Sequence, residues 1–186
     1  MQGRTQRHTR FTHLLPNASL AKTNWERANA RTHMIDQALA TQTAKIGTET
    51  GLTEWCTIDQ DRINVFAEVT EDPQWIHTDP ERAARETPFG GSIAHGFLTL
   101  SMASKFSIET AESLPGQVMG INYGLNKVRF LNPVCAGDQI RGRFVLKSVT
   151  KKSDTQLLSE NTLTVEIKGK DTPALVADWL GMAVFE

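Results

Sequence analysis

The chain has 186 residues, 39% of them hydrophobic and 22% charged, which suits one water-soluble domain with enough apolar mass to form a core. Its 20 basic and 21 acidic side chains leave a formal charge of −1, so the molecule as a whole exerts no long-range pull on nucleic acid or on an anionic membrane, and neither is expected as a partner. Cys56 and Cys135 lack the spacing of a zinc site or a disulfide framework, no apolar run approaches about 18 residues, and the N-terminus has no secretory core, so a reduced, cytoplasmic protein is expected.

Residues 1–35 differ from the remainder. Lys22 and the arginines Arg4, Arg7, Arg10, Arg27 and Arg31 face only Glu26, and there is little periodic apolar content before Ile35. This segment reads as a flexible basic extension ahead of a single domain over 36–186, with an import presequence as the alternative. Ile35, Ala38, Leu39 and Ala44 fit an amphipathic helix over 35–46, ending near Gly47. "TEWCTID" (53–59) reads as a short strand, and Asp59 is placed to cap a helix carrying Ile63, Phe66 and Ala67 that stops before Pro73. Pro73 and Pro80 disfavour helix at Asp72 and Asp79, which predicts an ordered turn over 71–79; Pro80 then opens a short helix, with Asp79 as its cap.

A turn at Gly90 and Gly91 leads, with Ser92 resembling an N-cap, into a helix that carries no charge until Lys105. A helix apolar on nearly all sides has to be enclosed, and in a chain of this length a curved sheet must enclose it. Four long alternating stretches supply that sheet: 117–131, 138–152, 155–169 and 173–185. Leu157, Leu163, Val165 and Ile167 share one side of their strand, as Ile140, Phe144 and Leu146 share one side of theirs. "AGD" (136–138), "KSD" (152–154) and "KGKDTP" (168–173) suit antiparallel hairpins. The fold class is α+β, a long helix wrapped by an antiparallel sheet.

Asp72 and His77 lie five positions apart in the turn. Alone, an Asp beside a proline is a cap or an Asx-turn and a histidine a structural hydrogen-bonding group. "FAEVTEDPQWIHTDPERA" followed by "GGSIAHGFLTLSM" nevertheless resembles the hydratase-2 motif of the MaoC-like dehydratase family, which has the hot-dog fold. Phe66, Thr70, Asp72, Gln74, Ile76, His77 and Ala83 fill the motif's places, and "AHG" at 94–96 matches the start of the family's central helix. "YGLNKVRFLNPVCAGD" (123–138) resembles the NodN-like branch, so the similarity covers roughly residues 50–186. The motif's usual Asn-Pro is replaced by Gln74 and Trp75, and Glu71 stands where a glycine is frequent.

The resemblance implies (R)-specific hydration of a trans-2-enoyl-CoA, or the reverse dehydration, with no metal and no redox cofactor; coenzyme A is the substrate's carrier. It implies that Asp72 and His77 activate water, that the Gly96 amide holds the developing oxyanion, and that Ser104 lines the site. The chemistry agrees with those residue types: water addition needs a proton acceptor, a proton donor to Cα, and N–H groups at a helix start to hold the enolate oxygen. Gln74 and Trp75 are expected to touch substrate as the variant pair of the motif, although Trp75 also suits packing, and Lys127 and Arg129 are candidates for coenzyme A phosphates. His95 is expected to pack in the interior. A hot-dog thioesterase is a rival, weakened because residues 93–104 carry no carboxylate. A non-catalytic acyl-thioester-binding module is the other. A hot-dog protomer leaves strand edges open, so a homodimer is expected.

Overall fold

The computed structural model describes residues 24–186; the rest of the basic extension lies outside the described residues. Helix α1 runs Asn24–Thr43, so it begins well before the apolar pattern at Ile35. Among the described side chains of α1 only Ile35 and Ala38 are buried, packing with Leu157 and Phe185, and this leaves the first turns without a core-facing stripe to read. Asp36 holds the helix to the sheet through Lys151 at 2.7 Å.

Of the strand expected over 53–59 only Cys56–Thr57 forms, as β2, and a separate strand β1 (Glu49–Leu52) precedes it. Between them Thr53 donates its amide to the Gly142 carbonyl at 3.0 Å and accepts the Gly142 amide on its hydroxyl at 3.0 Å, so a side chain takes over one rung of the ladder. Asp59 accepts the Arg62 amide at 2.8 Å and opens α2 (Gln60–Thr70). Glu71, at φ 56°, closes α2 in the left-handed region. The turn over 71–79 contains a single helical turn, α3 (Trp75–Thr78), and Asp79 caps α4 (Pro80–Glu86) by accepting the Arg82 amide at 2.9 Å.

Helix α5 (Gly96–Thr110) lies against one sheet built from β3 (Gln117–Phe130), β4 (Gln139–Ser153), β5 (Gln156–Ile167) and β6 (Leu175–Phe185). The strand order is β1-β4-β5-β6-β3, with β2 also on β4, and every pairing is antiparallel. Leu98, Met102, Ala103 and Phe106 of α5 join Ile140, Phe144, Leu163, Val165, Ile167 and Leu175 of the sheet in the main core. The helix crosses β4 so closely that a Cβ on Gly142 would come within 2.8 Å of Phe106, which is why that position carries glycine.

The sheet encloses one side of α5 rather than all of it. Phe97 is 70% exposed and Ile108 80%, and the edge strand β3 exposes Val118, Met119, Ile121, Tyr123 and Leu125. The apolar surround expected from the helix's composition is therefore incomplete within one chain.

Candidate active site

The site is assembled where the 71–79 turn meets the start of α5. Glu71 turns the chain back at the end of α2, and the Asp72 amide donates to the Ala67 carbonyl at 3.0 Å, which presents the Asp72 carboxylate outward with 57% of its side chain exposed. Pro73 ends the helical run, and α3 then carries His77 inward, where it is 7% exposed. The two elements are tied together by Ile93, whose amide donates to the Ile76 carbonyl at 3.1 Å. Gln60 adds a second tie, donating to the His77 carbonyl at 2.8 Å while accepting the Ser92 hydroxyl. Ser92 is thus a buried hydrogen-bonding residue and not the N-cap of α5; His95 occupies that position, with no side-chain capping bond.

His77 Nδ1 lies 2.7 Å from the Ile93 carbonyl, and since a carbonyl only accepts, Nδ1 carries the proton and Nε2 is left as a bare acceptor. Burial pushes the His77 imidazole below the ordinary histidine value, against the raising effect of its bond to Ile93. The neighbouring His95 lowers it further, and the Asp72 carboxylate acts the other way. His77 is consequently held neutral with a basic nitrogen available, the state a proton acceptor needs.

His95 stacks on His77 with ring centroids 3.7 Å apart and planes at 28°, and Phe66 from α2 lies at 5.1 Å on the same imidazole. One carboxylate oxygen of Asp72 and one nitrogen from each of His77 and His95 all fall within 4.8 Å of one another. A tetrahedral zinc site would hold its ligand atoms roughly 3.3 Å apart with lone pairs converging on one point. Here the imidazole planes differ by 28° and His95 Nε2 is committed to the Asp72 carbonyl, while His77, bonded through Nδ1, keeps Nε2 free.

Gly96 follows directly. A Cβ there would stand 3.1 Å from the Phe130 ring, so its backbone approaches β3 in a way that a side chain would disturb. A cavity of about 280 Å³ opens beside it, lined by Ala94, Gly96, Thr99, Phe130 and Asn132 among others. With no side chain capping α5, its first amides and the positive end of its dipole are available to an oxyanion at this tip.

Asp72, His77 and Gly96 are therefore brought together. The other candidates are dispersed. Gln74 is exposed at the start of α3, using its carbonyl to receive the His77 amide at 2.9 Å, and Trp75 lies under the Arg82 guanidinium at 4.2 Å. Ser104 stands eight residues beyond Gly96, about 12 Å along the helix. It accepts from Asn122 at 3.2 Å and lines a separate cavity of about 560 Å³ between α5 and the sheet. Lys127 pairs with Asp178 and Arg129 with Val176 across the β3–β6 ladder, whereas Val128 packs on the core. By alternation the two cations stand on the sheet face away from α5. His95, expected to pack in the interior, is 4% exposed and stacks on His77, and beyond packing it reaches the Asp72 carbonyl at 2.9 Å. Its signal was its place immediately before Gly96, but an interior histidine is ordinarily structural, and its contacts with the turn are purely tertiary.

A long helix laid across an antiparallel sheet, with an acid and an imidazole at the helix tip, defines a hot-dog fold. The sequence profile of the MaoC like domain matches residues 41–167, and the chain belongs to that family. Nodulation protein N of Rhizobium leguminosarum bv. viciae is 46% identical over 153 residues, 82% of this chain and 95% of that protein. The 3-hydroxyacyl-thioester dehydratase Z of Mycobacterium tuberculosis is 41% identical over 142 residues, covering 76% and 93% respectively. Among solved structures, R-hydratase PhaJ1 from Pseudomonas aeruginosa superposes with a TM-score of 0.59 at 26% identity over 76% of this chain and 83% of that one. The (R)-hydratase from A. caviae gives 0.60 at 23% identity over 75% and 97%, which speaks for the fold. No helix among the described residues is long and apolar enough to cross a membrane.

Proposed function

We propose that the protein hydrates trans-2-enoyl thioesters to (R)-3-hydroxyacyl thioesters, and runs the reverse dehydration, without a metal or redox cofactor. The observation that carries this reading is the Asp72 carboxylate and His77 imidazole within 4.8 Å of each other beside the uncapped tip of α5. The dehydratase named among the relatives supports the substrate class.

In the hydration direction the thioester oxygen sits at the α5 tip and accepts the Gly96 N–H. A water lies between Asp72 and His77; the carboxylate accepts one of its hydrogens and orients it. His77 Nε2 takes the other hydrogen as the water oxygen bonds to Cβ. The C=C electron pair moves onto the thioester to form an enolate, whose charge the α5 amides hold. The imidazolium, stabilised by the Asp72 carboxylate, then gives its proton to Cα on the same face. The two additions are therefore syn, and His77 ends the cycle neutral.

Coenzyme A is the handle we assign, with Gln74, Trp75, Ser104, Lys127 and Arg129 kept as candidate contacts. Because Lys127 and Arg129 stand on the sheet face away from the site, phosphate contact from them requires the nucleotide to pass around the edge of β3. That edge also exposes apolar side chains along a 14-residue strand, which suits pairing with a second copy into a homodimer. Unpaired Cys56 and Cys135 suit a reducing, cytoplasmic setting. The test is loss of conjugated enoyl absorbance for a C4 to C16 series of trans-2-enoyl-CoA esters, run with Asp72→Asn. Turnover abolished by that substitution supports the reading. Free thiol released from saturated acyl-CoA would point to a thioesterase, and tight binding without turnover to a binding module.

A further inference from the structure

We infer that His95 is a positioning residue, setting the distance between the water-activating turn and the oxyanion donor through a hydrogen bond to the Asp72 main chain. The inference rests on the hydratase reading. The proton-handling groups sit on residues 72–77, whereas the oxyanion amide belongs to residue 96 at the start of a different element. Their separation must be held to a fraction of an ångström for the reaction to proceed.

His95 is adjacent to Gly96 and touches each part of the other half. Its Nε2 lies 2.9 Å from the Asp72 carbonyl oxygen, so Nε2 carries the proton and donates. The Asp72 carboxylate is 3.9 Å from the same nitrogen, beyond a hydrogen bond. One face of the ring stacks on His77, and Phe66 packs against it from α2. The ring is 4% exposed, and its second nitrogen, Nδ1, is buried with no hydrogen-bond partner.

That unpaired Nδ1 separates positioning from direct catalysis. With Nε2 committed to a carbonyl, Nδ1 is the acceptor of the neutral ring, and it reaches neither solvent nor any described polar group. It therefore has no route to a substrate proton. An unpaired buried acceptor is unfavourable, and such an atom needs an explanation. Here it follows from spending the ring's one N–H on Asp72 and its face on His77. A hydrophobic ring at 95 would pack without leaving an orphan acceptor, but it would remove the bond that joins the residue before Gly96 to Asp72, leaving only the more distant ties through Ile93 and Gln60.

Two measurements test this. Nitrogen-15 spectra of the imidazoles in the unsubstituted protein should show His95 protonated on Nε2 with Nδ1 bare; a proton on Nδ1 would overturn the inference without reference to activity. In enoyl-CoA hydration, His95→Phe keeps the ring and removes the donor, and it is expected to lower kcat about 100-fold with KM changed by no more than about threefold. His95→Gln places an amide N–H near the position of Nε2 and should recover kcat to within about tenfold of the parent. Thermal melts of both variants establish that they are folded at the assay temperature; if His95→Phe is not, His95→Gln decides, because a loss as deep as that of a His77 variant contradicts the inference. An active parent with an indifferent His95→Phe refutes the positioning role alone. An inactive parent refutes the hydratase reading and with it the kinetic role, while the tautomer spectrum still decides the bond.

Discussion

His77→Asn separates the two jobs of that imidazole. Nδ1 donates to the part-buried Ile93 carbonyl at 2.7 Å and Nε2 is the bare base. An asparagine amide places an N–H close to where Nδ1 stands, so the bond to Ile93 survives while the basic nitrogen disappears. Positioned proton transfer contributes about 10²–10⁴-fold, so kcat for enoyl-CoA hydration should fall by that factor, which is about 3–5.5 kcal/mol in the barrier. Stability should change far less. Stranding the Ile93 carbonyl would cost about 1–3 kcal/mol, as His77→Ala should, and at about 2–4 °C per kcal/mol for a chain of this size the alanine variant should melt several degrees below the asparagine one. Stopped-flow absorbance and thermal melts of parent, His77→Asn and His77→Ala form the assay. If His77→Asn turns over within about tenfold of the parent, the assignment of His77 as the proton acceptor is wrong.

Three further outcomes follow from the same geometry. His77's value in the folded protein lies below its ordinary one through burial, so the unfolded chain binds more protons between the two. Its contribution to stability is then complete above the ordinary histidine value and is lost as pH falls below it, and the acid limb of kcat/KM should lie below the ordinary histidine range; a limb at or above that range would contradict a buried neutral base. Gly142→Ala should destabilise by about 1–3 kcal/mol, because its Cβ would meet the fully buried Phe106 at 2.8 Å, and an unchanged melting temperature would show that α5 does not approach β4 that closely. Ile121→Lys with Tyr123→Lys places two charges on the exposed face of the edge strand, and light scattering should then report a monomer where the parent is a dimer; a parent that is monomeric at micromolar concentration would contradict edge pairing.

Much of the architecture was legible because its causes are local. Alternation marks Leu163, Val165 and Ile167 as one face of β5, and all three are buried. Asp59 and Asp79 precede helices whose first amides they accept, a relation readable from three-residue spacing. What escaped depends on contacts between distant segments. The early turns of α1 bury little, so no apolar period announces them. Thr53 breaks a strand through a bond to Gly142, and Ser92 serves Gln60 instead of the helix that follows it. For the site, only the family resemblance points to Asp72, His77 and Gly96, since a five-residue spacing by itself is equally a turn; Asp72 and His77 lie within 4.8 Å of each other. Nothing in "SIAHGF" shows that the His95 ring reaches back to Asp72, so the sequence alone reads as packing there.

A crystal structure of Asp72→Asn with bound trans-2-butenoyl-CoA tests the central claim most directly. The thioester oxygen should lie about 2.7–3.1 Å from the Gly96 nitrogen, with Cβ facing a single water held between residue 72 and His77 Nε2. A thioester bound away from the start of α5, or a water site that His77 does not reach, would contradict the account.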